Sequence, residues 1–308
     1  MKKLMITLGA LAAAVAFTAH AEETPDPNVA AAPETAASET AEVEPAGIED
    51  EEDESSFFEV AFEVDVKSAY VSRNRIFSDT PVAQYDLWMQ VNLPEPFGWL
   101  AVDVWANQEL NKRHSSRSHG NGGKQFGGIG EFDYEIAYGN SVGPVNLTAS
   151  HLWYTYPRCG WHSQNFWTVG AEYDNEIVVP SVKFLWEYHH DNSPADTYMI
   201  DFALSRGFEL TEQLTLKAIT KTTLFTAQYA KHISGGELND AVFGGWDNGL
   251  ALSYAITDSI TLGAHINYLY KLDHRVRHCP GWDAYSTGGS HGTHAGFLYG
   301  GVSVSFSF

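Results

Sequence analysis

Two short stretches pair cysteine with histidine and tryptophan: Arg158-Cys159-Gly160-Trp161-His162 and His278-Cys279-Pro280-Gly281-Trp282. Thiolate sulfur and imidazole nitrogen are the ligands that zinc and copper prefer. His274-x-x-x-His278 and His291-x-x-His294 surround the second stretch, so His162, His274, His278, His291 and His294 are metal-ligand candidates beside the cysteines. Cys159 and Cys279 are also the two cysteines of the whole chain. In an exported protein, a disulfide between them is the simpler reading. A third stretch, Ser118-His119-Gly120-Asn121, holds the residue types of a lipid hydrolase. A nucleophile and its base must meet on a rigid element, and these are neighbours in a Gly/Ser-rich loop. The chain is therefore read as a non-enzyme, with no cofactor.

A larger set of ionisable residues is spread along the chain at alternate positions. The acids are Asp65, Asp86, Asp103, Glu131, Asp133, Glu135, Glu172, Asp174, Glu187 and Asp201, with Glu59 and Glu63 before them. The bases are Lys67, Arg73, Lys183, Lys217, Lys221 and Lys271. Acids outnumber bases, and rings of carboxylates facing water favour the passage of cations.

The elements that must position these residues have a period of two. In FEVAFEVDV, Phe58, Val60, Phe62, Val64 and Val66 share one face while Glu59, Glu63 and Asp65 share the other. No helix has this pattern. Strands are predicted over 57–72, 82–93, 97–109, 129–139, 144–156, 165–176, 180–190, 196–208, 212–226, 246–256, 259–272 and 295–308, twelve in all. Strands of this length suit the hydrocarbon thickness of a bilayer. The connections alternate: Pro94-Glu95-Pro96, Asn140 to Gly143, Val178-Val179, Glu209 to Thr211 and Thr257-Asp258 are short, whereas 110–128, 227–245 and 273–294 are long. Short turns at one end and long loops at the other are the habit of outer-membrane barrels. The fold class expected is all-β, a transmembrane antiparallel up-and-down barrel over 56–308 with both termini periplasmic. Strand 144–156 brings His151 onto the apolar face, which predicts a bulge or register change there. The long loops hold Arg73, Arg75, Lys112, Arg113, Arg117, Lys124, Arg158, Lys231, Arg275 and Arg277. A basic rim of this kind matches lipopolysaccharide phosphates.

Residues 1–21 read as a secretory signal peptide: Lys2-Lys3, an apolar run from Leu4 to Thr18, then Ala19-His20-Ala21. Residues 22–55 carry 13 acids, no base and no aromatic residue, and read as a disordered acidic tail. They account for much of the net charge of −21, a balance that argues against a nucleic-acid partner. At the far end VSVSFSF alternates: Val302, Val304, Phe306 and Phe308 on the lipid side, Ser303, Ser305 and Ser307 inward. An unpaired edge is very costly in a bilayer, so this strand is expected to pair with the first. Its terminal aromatic reads as an address for the barrel-assembly machinery.

Ser68-Ala69-Tyr70-Val71-Ser72-Arg73, Pro81, Gln84, Gly98-Trp99, Trp105-Ala106-Asn107, Glu131-Phe132-Asp133 and Tyr154-Thr155-Tyr156-Pro157 stand in this order. This order resembles outer-membrane β-barrels of the TorF porin type, bacterial proteins long of unknown function. The resemblance covers about 57–175. The family's usual glycine after the arginine is Asn74 in this chain. The resemblance implies a membrane barrel and a pore, and brings no catalytic residues. The expected function is a porin-like channel for passive diffusion of small solutes, narrow and cation-leaning, among outer-membrane lipids and lipopolysaccharide. The alternative is a closed surface barrel that binds metal or another ligand through its His/Cys loops, and a lipid hydrolase is the third reading.

Overall fold

Alternation of apolar and polar residues builds strands whose two faces differ, and such a sheet must either cover its edges or close. The computed structural model describes residues 57–110, 129–157, 163–175, 177–188, 197–279, 282–283 and 295–308. Its strands are β1 (Phe58–Lys67), β2 (Tyr70–Ser72), β3 (Arg75–Ser78), β4 (Val82–Asn92), β5 (Trp99–Glu109), β6 (Ile129–Val142), β7 (Val145–Thr155) and β8 (Gln164–Tyr173). They continue as β9 (Val179–Glu187), β10 (Thr197–Thr211), β11 (Leu214–Phe225), β12 (Val242–Phe243), β13 (Trp246–Thr257), β14 (Ile260–Tyr270) and β15 (Gly296–Ser307). Two short helices, α1 (Ala227–Ile233) and α2 (His274–Arg277), lie in connections.

All strands except β2, β3 and the two-residue β12 form a ring of twelve. Neighbours in sequence are neighbours in space and antiparallel, and β10 pairs with β11 across the middle of the chain. The seam is β1 against β15, with Phe62 opposite Phe306, Val64 opposite Val304 and Val66 opposite Val302. Phe308 is held past the last strand residue: its N–H donates to the Val60 carbonyl at 2.9 Å, and Val60 N–H donates back at 3.1 Å. The fold is thus a closed up-and-down barrel with the twelve strands the alternation predicts, except that the first, expected over 57–72, ends at Lys67 and residues 70–72 leave the wall as β2.

The five tight connections, 93–98, 143–144, 174–178, 212–213 and 258–259, all lie at one end, with Phe58 and Phe308. The six longer ones lie at the other. Gly98 shows what a tight turn demands: its φ is +70°, and a Cβ there would collide with the Gly139 carbonyl. The outer face is mostly apolar, with Ile136, Val169 and Leu298 among its most exposed side chains; Arg206 and the hydrogen-bonded Thr220–Asn248 pair also face outward. Among the described residues no helix is long and apolar enough to cross a membrane, which says nothing of strands.

The bulge expected in 144–156 is not there. β7 runs in unbroken register against both β6 and β8. His151 does sit on the outer face, opposite outward Ile136. Aromatic cover replaces the register change. Its ring lies 3.9 Å from that of Trp153 and 4.5 Å from that of Trp167, and Nε2 is hydrogen-bonded to the Tyr188 hydroxyl.

Candidate functional site: the barrel interior

Pairing across antiparallel strands places every second residue in rows around the inner face. One row runs Ser305, Glu63, Asp86, Trp105, Asp133, Tyr154 across six strands. The next toward the tight-turn end runs Ala61, Trp88, Asp103, Glu135, Leu152. On the other side lies Ser303, Asp65, Gln84, Asn107, Glu131. Asp65, Asp86, Asp103, Glu131, Asp133 and Glu135 therefore share one wall, from β1 through β6, with Glu63 among them. Carboxyls sit directly opposite one another at Glu63–Asp86 and Asp103–Glu135, an arrangement that destabilises a sheet when both are charged. Trp88 and Trp105 stand inward between the acids, both nearly fully buried. The alternation contains that placement, since 86, 88, 103 and 105 share parity within their strands.

The bases are mostly elsewhere. Lys67 reaches Asp65 at 3.3 Å on its own strand. Lys183 on β9 reaches across to Glu135 on β6 at 3.7 Å. Lys217 and Lys221 lie half-buried on β11, opposite Ala251 and Asp247 of β13. Glu187 is buried, accepting from Gln164 Nε2 at 3.0 Å and Thr197 Oγ1 at 2.9 Å. Asp201 accepts from Thr223 Oγ1 at 2.6 Å. Glu172 is half-buried opposite Ser181, whereas Asp174 lies past the end of β8 and is exposed. Lys271 lies one residue beyond β14, wholly buried, and donates to Asp283 Oδ1 at 2.7 Å. Burial lowers the pKa of this ammonium, and Asp283 opposes the shift.

Toward the long-loop end the interior changes character. Leu152, Tyr154, Phe166, Leu185, Met199 and Phe225 point inward from β7 to β11 and pack with Tyr229 and Ala230 of α1 and with Trp282. Trp282 meets Phe225 edge to face at 5.0 Å between ring centroids. A strand periodicity cannot reveal this cluster, because α1 and Trp282 arrive from loops.

The largest departure from expectation is the first long connection. The sequence puts Arg75 at the basic rim and Arg73 both there and among the inward bases; the β2–β3 hairpin carries both into the barrel. Its tip is a two-residue turn with Arg73 at φ 43° and Asn74 at φ 56°, the left-handed pair that such hairpins require. Asn adopts this region readily, but Arg does so at roughly 1–2 kcal/mol. Docking offsets that cost. The Arg73 guanidinium hydrogen-bonds the Tyr154 hydroxyl, lies 5.3 Å from the Tyr154 ring centroid and 5.6 Å from that of Phe166, and stands 3.9 Å from Asp201. Asn74 Oδ1 accepts from the Thr223 N–H at 2.7 Å. Arg75 Nε donates to the Trp282 carbonyl at 2.8 Å, and Ile76 N–H donates to Asp283 Oδ1 at 3.1 Å. At the hairpin's base Tyr70 packs on Trp105 of β5 at 5.6 Å. Five strands separate β5 from β11 in either direction around the ring, so the hairpin spans the interior from wall to opposite wall.

Of the loop candidates, His274 at the start of α2 and His278 at its C-cap are brought together with ring centroids 4.5 Å apart. Asp273 caps that helix, accepting from Arg275 N–H at 2.8 Å, and hydrogen bonds from Arg275 hold its carboxyl below the usual carboxylate range. Cys279 is buried in the apolar cluster. Cys159, His162, His291, His294 and the Ser118-His119 stretch lie outside the described residues, as do the signal and tail segments. Among the described residues no group of three or more metal-binding side chains converges.

The geometry defines a class: a closed twelve-stranded antiparallel barrel whose inner face is lined with ionisable side chains. No family model and no curated protein matches the chain. Solved barrels align along most of it at low identity. A KdgM porin in complex with disordered oligogalacturonate aligns at 6% identity and TM-score 0.42, covering 81% of this chain and 99% of the other. A NanC porin aligns at 12% and 0.44, over 79% and 98%. OmpT, an outer-membrane protein of Vibrio cholerae, aligns at 9% and 0.38, over 82% and 97%.

Proposed function

We propose that this chain is a porin-like channel of the bacterial outer membrane, passing small solutes by passive diffusion. The observation that carries the reading is the division between faces. The outside is an apolar and aromatic belt, and the inside is rows of carboxyls with fewer bases. Strands that must satisfy lipid outside and water inside need that division. The lumen-lining set is the acids and bases assigned to the inner rows, and their balance makes the channel cation-leaning and narrow. In this reading the tight-turn end faces the periplasm with both termini, the signal peptide is removed, and the acidic tail extends there as a disordered spacer. Basic loops face lipopolysaccharide, and the β15 alternation ending at Phe308 engages the barrel-assembly machinery. Membership of the TorF porin type belongs to the same proposal, supported by the residues that carry the resemblance. Single-channel recording in planar bilayers tests it, with reversal potentials measured in a KCl gradient. Absence of conductance steps from a correctly folded barrel would count against a channel. Anion selectivity would count against the role given to the acidic wall.

One observation favours a second reading, a closed barrel that binds through its loops: the apolar cluster and hairpin fill the interior at the long-loop end. The adjacent His274–His278 pair supplies two ligand nitrogens for a transition metal. Zinc titration of the purified protein, compared with a His274→Ala/His278→Ala variant, separates the readings.

A further inference from the structure

The hairpin that spans the interior is not part of the wall it crosses. β2 and β3 pair with each other as a sheet separate from the ring. Withdrawing them breaks no ladder of the barrel. Directed contacts hold the tip: Asn74 Oδ1 on the Thr223 N–H, the Asn74 carbonyl on Trp282 Nε1, Arg73 on Tyr154 and Asp201, and Arg75 on the Trp282 carbonyl, while Val71 and Ile76 pack behind it on Leu269 and Tyr299. The seat for the tip is made by a glycine. A Cβ on Gly244 would lie 2.9 Å from the Asn74 Cβ and 2.9 Å from Phe225 Cε2, so any larger residue pushes Asn74 away. The left-handed backbone of Arg73, which the two-residue turn requires, is costly for an arginine, and the docked contacts offset that cost.

We propose that the β2–β3 hairpin is an autoinhibitory plug: docked on Thr223 and Gly244 it closes the barrel at the long-loop end, and withdrawn it opens a continuous path along the acidic wall. The inference rests on the channel reading and gives that channel its regulation. The tip carries Arg73 and Arg75, two guanidinium charges placed inside the barrel. Their displacement along the barrel axis moves charge through the membrane field, so the closed–open balance depends on voltage.

Planar-bilayer recording of the full chain in KCl tests the plug. The wild type is expected to be mostly closed. Asn74→Ala, which removes a buried hydrogen bond, and Gly244→Val, which fills the seat from outside the hairpin, should each raise open probability about tenfold. Deletion of residues 70–78 should give open steps throughout, and Arg73→Ala should flatten the voltage dependence. Heat-modifiable migration confirms that each barrel is folded. Equal open probability in the wild type and the folded variants overturns the plug and leaves the channel standing. Silence from every folded variant, the deletion included, overturns both. If the deletion does not fold, the two point variants decide.

Discussion

Two regions of the same inner face have opposite chemistry. From β1 to β6 the inward rows are carboxyls set against carboxyls, with tryptophans between them. From β7 to β11, toward the long loops, the inward positions include Leu152, Phe166, Leu185, Met199 and Phe225, with loop residues packed on them and Lys183, Glu187 and Asp201 interspersed. Alternation is identical in both. What differs is what each region faces. The acidic wall needs water, protons or cations to be stable, whereas the apolar region needs another apolar surface, which α1 and Trp282 supply. Inward therefore does not mean polar in this barrel, and where the interior turns apolar the chain has provided its own filling.

The largest test of that contrast removes part of the filling. Phe166→Ala deletes a fully buried ring that also backs the Arg73 guanidinium. The expected cost is about 3–5 kcal/mol, read as a lower urea midpoint in detergent or lipid vesicles. A change near zero would mean that the cluster does not support the barrel. Next comes the contrast between inside and outside. Ile136, outward on β6, is 53% exposed. Ile136→Lys should cost about 2–4 kcal/mol if that position lies near the bilayer midplane, and almost nothing if the outer face meets water. Vesicle refolding of the variant distinguishes the two.

A smaller effect is expected at the rim. Asp273→Ala removes the cap of α2, at a cost of about 1 kcal/mol, local to the loop. Hydrogen exchange of the 274–277 amides should report it. The carboxyl's folded pKa is held below its ordinary 3.8. Its contribution is therefore fully present above that value and is lost as pH falls through the lower folded pKa. Loss of protection relative to the unfolded amides at the same pH, appearing only well above pH 4, would contradict this sign. The smallest effect belongs to the acidic wall. Asp86→Asn relieves the charge opposite Glu63 and should stabilise the barrel by up to about 1 kcal/mol while lowering cation over anion permeability. Destabilisation would mean that the facing carboxyls already share a proton or a bound cation, and that the charge is not in excess.

Much of the architecture was legible along the chain. The twelve strands follow from alternation, because a period of two survives only where both faces have distinct surroundings. Three of the tight turns, at 93–98, 143–144 and 174–178, follow from Pro, Gly and Asn chemistry; Glu212-Gln213 and Asp258-Ser259 have none of these, and the turn expected over 209–211 is the end of β10. The seam at Val302 to Phe308 follows from the cost of an unpaired edge. The parity of Glu63, Asp65, Asp86, Asp103, Glu131, Asp133 and Glu135 within their strands set them on a common face. Their gathering on adjacent strands needed only nearest-neighbour topology.

Tertiary structure alone decided the rest. Alternation says which face a residue takes, but nothing about what a loop does after it leaves the sheet. Arg75 reads as a rim charge, and Arg73 as both a rim and an inward base, because a local pattern does not say where a loop goes; Tyr154, Phe166 and Asp201, remote in sequence, give Arg73 its place inside, and the Trp282 carbonyl does so for Arg75. His151 read as a register fault because a lone polar residue on an apolar face looks misplaced, yet Trp153, Trp167 and Tyr188 converge over it from three strands. The sequence determined a barrel and its two faces through local periodicity. Whether its mouth is filled depends on contacts between residues far apart in the chain, and no local pattern encodes those.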